Sequence, residues 1–132
     1  ACDTGVDGSP LIDPILEYRH PPPTGNEIVG LSVSGGFVYR GADIPGLQGR
    51  YVFADWSDGF FAGEGKLLVA TQAPNGTWSF EELAVADRDS RRIERFILSL
   101  GRDADGELYV CTTQNLGPDG QTGAVYRMLP AE

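Results

Sequence analysis

Turn-forming residues interrupt this chain so often that no long element fits between them. Gly (18) and Pro (9) make up about a fifth of its 132 residues, and they follow no fixed period, which rules out a collagen-like repeat. Strongly apolar runs lie between the turns, where a disordered chain would carry polar tracts. No segment of ten or more residues places apolar side chains at a spacing of 3.6, so the expected elements are short strands.

The chain begins with an irregular Gly/Asp/Ser-rich stretch, Ala1 to Pro10. The apolar run Leu11 to Leu16 is broken by Pro14, so any pairing there is expected at a sheet edge. Tyr18-Arg19-His20 then enters Pro21-Pro22-Pro23, a stiff polyproline-like connection that is expected to link rather than pack. From Ile28 to Arg40, small and large residues alternate around Gly35-Gly36, which reads as strand, bend or bulge, strand. Tyr51 to Asp55 and Lys66 to Thr71 are β-branched and aromatic strands flanking a turn at Asp58-Gly59. Pro74-Asn75-Gly76 turns the chain again into Thr77 to Leu83, with Trp78, Phe80 and Glu82 on one face. Asp87 to Arg95 is a charged cluster without clear periodicity, expected as a surface loop or one short helical turn. Phe96 to Leu100, the Asp105-Gly106 turn and Leu108 to Cys111 form a second hairpin, and Ala124 to Leu129 closes the chain after the Gly117-Pro118-Asp119-Gly120 loop.

The class is therefore all-β, with about seven or eight short strands. At four strands each this makes two blades of a propeller; a small β-sandwich or barrel satisfies the same pattern. As one partial propeller domain over 1–132, residues 1–27 are a lead-in, 28–86 a first blade region and 87–132 a second.

A hydrophobic content of 41% suffices for a core. The net charge of −9 opposes sequence-independent attraction to nucleic acid or anionic lipid, so no nucleic-acid partner is expected. No run approaches the ~20 apolar residues that cross a bilayer, so no membrane span is expected. Starting at Ala1 without an initiator Met, the chain is expected to be a processed form or a piece of a longer one. Cys2 and Cys111 can pair in an oxidising compartment; the alternatives are a buried thiol at Cys111 with a loose Cys2, and an Ala1-Cys2 lipoprotein cleavage remnant. No phosphate loop, zinc spacing or Gly-x-Ser-x-Gly elbow is present.

Several blocks then carry a family resemblance. Val33-Ser34-Gly35-Gly36-Phe37-Val38-Tyr39-Arg40-Gly41, Ile44-Pro45, Tyr51 to Trp56, Asp103 to Val110 and Val125-Tyr126-Arg127 follow one another in the order and spacing that resemble the soluble glucose/sorbosone dehydrogenases and their Hedgehog-interacting relatives. The resemblance runs from about Asp13 to Pro130. It implies the closing part of a six-bladed β-propeller, secreted, periplasmic or at the cell surface, in a family whose enzymes bind pyrroloquinoline quinone (PQQ) and calcium and oxidise sugars. It also implies that the catalytic histidine belongs to an early blade outside this segment. The remaining blades, as a companion chain or as further copies in a homo-oligomer, and a sugar ligand are the implied partners. Where those enzymes carry a quinone-contacting lysine, this chain has Ser57-Asp58.

Four candidate site residues remain. His20 is the lone histidine and a candidate proton acceptor near neutral pH. Arg95, with Arg91 and Arg92 behind it, is a candidate for the carboxylates of the quinone, because guanidinium binds carboxylate through two parallel bonds. Asp103 and Asp105 resemble the opening of a calcium loop, against the reading of an Asp-Gly hairpin turn. Two functions from different classes stand: part of a quinone-dependent sugar oxidation site that needs the missing blades, or a non-catalytic propeller module for binding and assembly. Trp56, Tyr39 and Phe53 are assigned to the interior between sheets rather than to a sugar platform.

Overall fold

Antiparallel pairing between successive short strands builds both sheets of the computed structural model, which describes residues 3–86, 88–117 and 119–131. Seven strands form two sheets. In the first, β1 (Val33–Val38), β2 (Tyr51–Asp55), β3 (Lys66–Gln72) and β4 (Trp78–Leu83) lie side by side in chain order. In the second, β5 (Phe96–Arg102), β6 (Leu108–Thr113) and β7 (Ala124–Arg127) do the same. A single 3-10 turn, Pro45–Leu47, interrupts the β1–β2 connection. The edge strand β5 rests against β1 and β2, so the two meanders meet along their first strands and leave β4 and β7 as the outer edges. Each sheet is blade-like, as in a fragment of a propeller. The second has three strands where four were expected.

Both glycines of Gly35-Gly36 fall inside one strand, and the β1–β2 register shifts between Ser34 and Phe37, so the pair makes a bulge within β1. A Cβ on Gly36 would strike the Val52 carbonyl, which is why the strand carries no side chain there. The Leu11–Leu16 run forms no strand. Pro14 removes a donor in its middle, and the run does not alternate.

Alternation along β2 and β3 builds two cores. Val52, Ala54, Leu67 and Val69 point toward the second sheet, where they meet Ile97, Leu100, Leu108 and Val110. Phe53, Leu68, Tyr51, Trp78 and Phe80 point the other way and are covered by Leu16, Tyr18 and Ile28. The lead-in therefore packs, contrary to the sequence-based expectation that it only connects. The Tyr18 hydroxyl also donates to Asp55 Oδ2 at 2.7 Å. Among the described residues, the opposite face of the second sheet has no such cover. Tyr109 and Cys111 are half-buried, Val125 is 65% exposed, and Leu98, in the β5 bulge, is 55% exposed. The proposed Cys2–Cys111 bond involves a residue outside those described.

Two buried carboxylates tie the pieces together. Asp55, at the end of β2, is fully buried and accepts from Tyr18, from the Leu31 and Ser32 amides, and from the Ser57 amide at 2.7–3.1 Å. Glu107, entering β6, accepts from the Tyr39 hydroxyl at 2.6 Å and from the Ala42 and Asp43 amides at 2.7 and 3.0 Å. Each carboxylate takes one tyrosine and two consecutive loop amides that follow a glycine. Its charge is thus matched by directed N–H and O–H dipoles without a cation. At Gly30 and Gly41 a Cβ would collide with the respective carboxylate.

The Tyr39 hydroxyl beside Glu107, with the two amides, holds its carboxyl below the usual range, while burial pushes Tyr39 up. A depressed carboxylate stabilises the fold above its unfolded value, about 4.3 for Glu, and that contribution disappears as pH falls through the lowered folded value. The thermal midpoint is accordingly expected to hold steady from pH 7 to about 5 and to drop below about pH 4. In Glu107→Gln the midpoint at pH 7 falls by roughly 5 °C or more and the acid-side slope becomes shallower, as read by thermal melts across pH. An unchanged slope would mean that Glu107 is not the titrating latch.

Candidate binding face

Because strands alternate in direction, the β2–β3 loop (56–65), the β4–β5 connection (84–95) and the β6–β7 loop (114–123) all emerge at one end of the two sheets. This end carries the most elaborate loop construction in the molecule. Trp56 follows Asp55 and stacks on Phe96 with ring centroids 4.6 Å apart, fastening the first loop to the second sheet. Backbone bonds from Ile97 N to Trp56 O and from Gly65 N to Arg95 O join the sheets at the same place.

Ser57 is fully buried and organises the loop from within. Its hydroxyl donates to the Ala62 carbonyl at 3.0 Å and accepts from the Glu64 and Gly59 amides at 3.0 and 3.3 Å. Next to it, Asp58 pairs with Lys66 and with Arg92. Lys66 is 2% exposed and also donates to the Val29 carbonyl, so it joins the end of the lead-in to the loop. Arg92 grips Glu82 of β4 through Nε and Nη2 at 2.7 and 3.2 Å, and these bonds hold the guanidinium firmly charged. The planar fork suits this role, since one face of it spans a carboxylate while the remaining nitrogen reaches Asp58.

The candidate residues are scattered over this frame. Arg95 donates from Nε to Thr112 Oγ1 at 2.8 Å and from Nη2 to the Thr122 carbonyl, with its guanidinium over the Tyr126 ring. It ties the β6–β7 loop to the second sheet. Arg91 is exposed, and it and Glu94 take up left-handed backbone conformations at φ 58° and 55°. His20 is exposed and follows Arg19, which bridges to Val29. Asp103 and Asp105 lie at the opposite end of the sheets in the β5–β6 turn. There Asp103 accepts from the Asp105 and Glu107 amides at 3.0 and 2.9 Å and from the Tyr109 hydroxyl at 3.1 Å. The Glu107 amide chiefly keeps its carboxyl below the ordinary range. Asp105 is exposed, and Gly106 supplies the φ of 89° that closes the turn. Among the described residues no group of three or more His, Cys, Asp or Glu side chains is placed to hold a metal ion.

Sequence reasoning passed over the residues that shape this end. Lys66, the only lysine, opens a strand in the sequence pattern, and its rarity in an arginine-biased chain is the one signal that sets it apart. Phe60 and Phe61 were not singled out. Phe60 leans on Trp56 with centroids 5.7 Å apart yet is 56% exposed, and Phe61 is fully exposed. The following residues of the loop help to line a cleft of about 660 Å³, with Ala62 and Glu64 on one wall and Ala84, Ser90, Arg91 and Glu94 among the others.

Two blade-like antiparallel meanders, joined along their first strands and carrying their built loops at one end, place the chain among propeller-type all-β folds. No family model matches it. It is similar to the Hedgehog-interacting proteins of mouse and of human, with 31% identity over 98 residues in each case. The alignment takes in 72% of this chain and 13% of each relative, so the chain spans only a small part of the proteins it matches.

Removing Asp58 would leave Lys66 charged and buried without its counterion. Asp58→Ala is expected to cost roughly 3–5 kcal/mol in urea unfolding, and adding Lys66→Met recovers part of that loss. Glu81→Ala, which cuts only the exposed pair with Arg50, serves as the comparison at about 1 kcal/mol or less. Equal small effects from Asp58→Ala and Glu81→Ala would remove the buried pair from the account.

Proposed function

We propose that the chain is a non-catalytic propeller-type binding module that presents its loop-bearing end to a protein ligand outside the cell. The observation that carries this reading is that the polar side chains beneath that end are engaged with one another. Ser57, Asp58, Lys66, Arg92 and Arg95 hold loops in place, while aromatic side chains point outward. Rigid loops that display aromatics are the composition of binding sites. The similarity to Hedgehog-interacting proteins, whose name describes a protein ligand, supports the same reading.

The quinone chemistry implied by the family resemblance fits these residues poorly. A contact to the cofactor's carboxylates would require Arg95 to release Thr112 and Thr122. At the position of the enzymes' lysine, Ser57 has no free hydroxyl capacity and Asp58 would bring a negative charge toward a tricarboxylate. The chain supplied with PQQ, calcium and an aldose is therefore expected to reduce a redox dye no faster than the buffer control. Turnover that depends on the protein would overturn the non-catalytic reading.

The uncovered face of β5–β7 supports assembly with a further blade. On the first sheet the equivalent strand positions Val52, Ala54, Leu67 and Val69 are sealed against the next sheet. On the second, Val125 and Leu98 are left outward. Sedimentation at micromolar concentration is expected to reveal association that Val125→Glu weakens, because a charge would then be buried in the joint. A monomer unaffected by that change would contradict this assembly.

A further inference from the structure

The β3–β4 turn carries the one stretch of sequence in which an asparagine is followed, two residues on, by a hydroxyl side chain: Asn75-Gly76-Thr77. Asn26 is followed by Glu27-Ile28 and Asn115 by Leu116-Gly117, so neither matches. Asn-x-Ser/Thr, with x other than proline, is the acceptor pattern for N-linked oligosaccharide in proteins that enter the secretory route. A three-residue pattern recurs by chance, so its setting in the fold decides what it can do.

The three residues form the tip of the hairpin. Ala73 N donates to Thr77 O at 2.8 Å and Gly76 N to Ala73 O at 2.9 Å, while Gly76 supplies the φ of 88° that closes the turn. Asn75, Gly76 and Thr77 are all exposed, and a Cβ on Gly76 would meet open space. Asn75 Oδ1 accepts from the Thr77 amide at 3.1 Å and from the Thr77 hydroxyl at 2.7 Å. The carboxamide oxygen is therefore occupied, and Nδ2, the atom that would carry a sugar, donates to no group among the described residues. This side-chain turn involves neighbouring residues only, so its formation does not wait for the sheets. Since strands alternate in direction, the tip lies at the end opposite the β2–β3, β4–β5 and β6–β7 connections. A glycan there leaves the loop-bearing end clear, and its bulk beside the free edge of β4 hinders pairing of that edge with another chain.

Resting on the reading above that places the chain outside the cell, we propose that Asn75 is an N-glycosylation site whose donor is an oligosaccharide linked to a polyprenyl diphosphate. Asn75 Nδ2 attacks the anomeric carbon of the donor. A C–N bond forms there as the bond from that carbon to the diphosphate oxygen breaks; the polyprenyl diphosphate leaves with the bonding pair, and one Nδ2 proton passes to a base of the transferase. No oxidant or reductant takes part.

The test secretes the full chain from cultured animal cells behind a cleavable signal peptide and reads intact mass. The wild type is expected to carry one glycan, which a glycan-releasing amidase removes, and Asn75→Asp and Thr77→Ala are each expected to lose it entirely. Thr77→Ser, which keeps the hydroxyl, should retain it. Release by the amidase turns the carrier asparagine into aspartate, so treated wild type and Asn75→Asp should agree in mass and in thermal midpoint. Heavy-oxygen water present during release labels residue 75 only in the enzymatic product, which separates it from spontaneous deamidation of Asn75-Gly76. Asn75→Asp still offers an oxygen to the Thr77 amide and hydroxyl, so loss of the glycan cannot be blamed on a broken turn. Wild type recovered folded from the medium at its bare mass would overturn the site and leave the binding-module reading standing. A glycan that persists in Asn75→Asp would overturn it as well. A glycan at Asn75 on a chain that also shows quinone-dependent dye reduction would uphold the site and remove the non-catalytic reading.

Discussion

The carboxylate of Glu107 is the buried polar latch between two sheets that also share an apolar core and the Trp56–Phe96 junction. It sits immediately before β6, yet all three of its donors lie in the β1–β2 connection of the other sheet. A charge this deeply buried is tolerated only when directed donors replace its hydration, and the Tyr39 hydroxyl with two consecutive amides supplies them. Because those donors sit on one short stretch of backbone, the bond fixes the path of the loop as well as the distance between sheets. The close approach in turn demands Gly41, and Gly106 lies 2.8 Å from the Arg40 backbone when given a Cβ. Asp55 repeats the arrangement at the other end, clamping the lead-in and the entry to β1 with a second tyrosine and a second amide pair. Both clamps lie beneath the loop-bearing end and oppose sliding of the sheets that carry it.

Much of the fold was legible before the structure. Strand positions followed from alternation and from Asn-Gly, Asp-Gly and Gly-Gly punctuation, and the prediction that Trp78 and Phe80 share a face is met in the register of β3 with β4. The burial of Tyr39 and Phe53 between packed layers followed from their strand context. The second sheet holds the three strands legible in its sequence, Phe96 to Leu100, Leu108 to Cys111 and Ala124 to Leu129, one short of the four of a full blade. The packing of the lead-in was missed. Prolines mark a segment as non-ladder, but they say nothing about whether Leu16, Tyr18 and Ile28 find an apolar face to cover.

The candidate site was less legible than the fold. Arg95, Asp103 and Asp105 were noticed for their chemistry, and the structure places them at opposite ends of the sheets, Arg95 in loop bracing and Asp103 in a hairpin turn. Titratable residues are conspicuous in a sequence whether they face a ligand or a neighbouring amide, and one-dimensional spacing cannot separate these cases. Phe60 and Phe61 had the reverse problem. Aromatics in a strand-rich sequence read as core, and only a loop built to hold them outward reveals otherwise.

Native-state hydrogen exchange tests most directly whether two sheets latched into one body carry the binding end. The amides of β2, β3, β5 and β6, together with those of Ala42 and Asp43, are expected to exchange through one shared opening of equal free energy, and Glu107→Gln should lower all of them together. Exchange of β5 and β6 at a much lower free energy than β2 and β3, with Ala42 and Asp43 unprotected, would mean that the sheets open independently and would contradict the account.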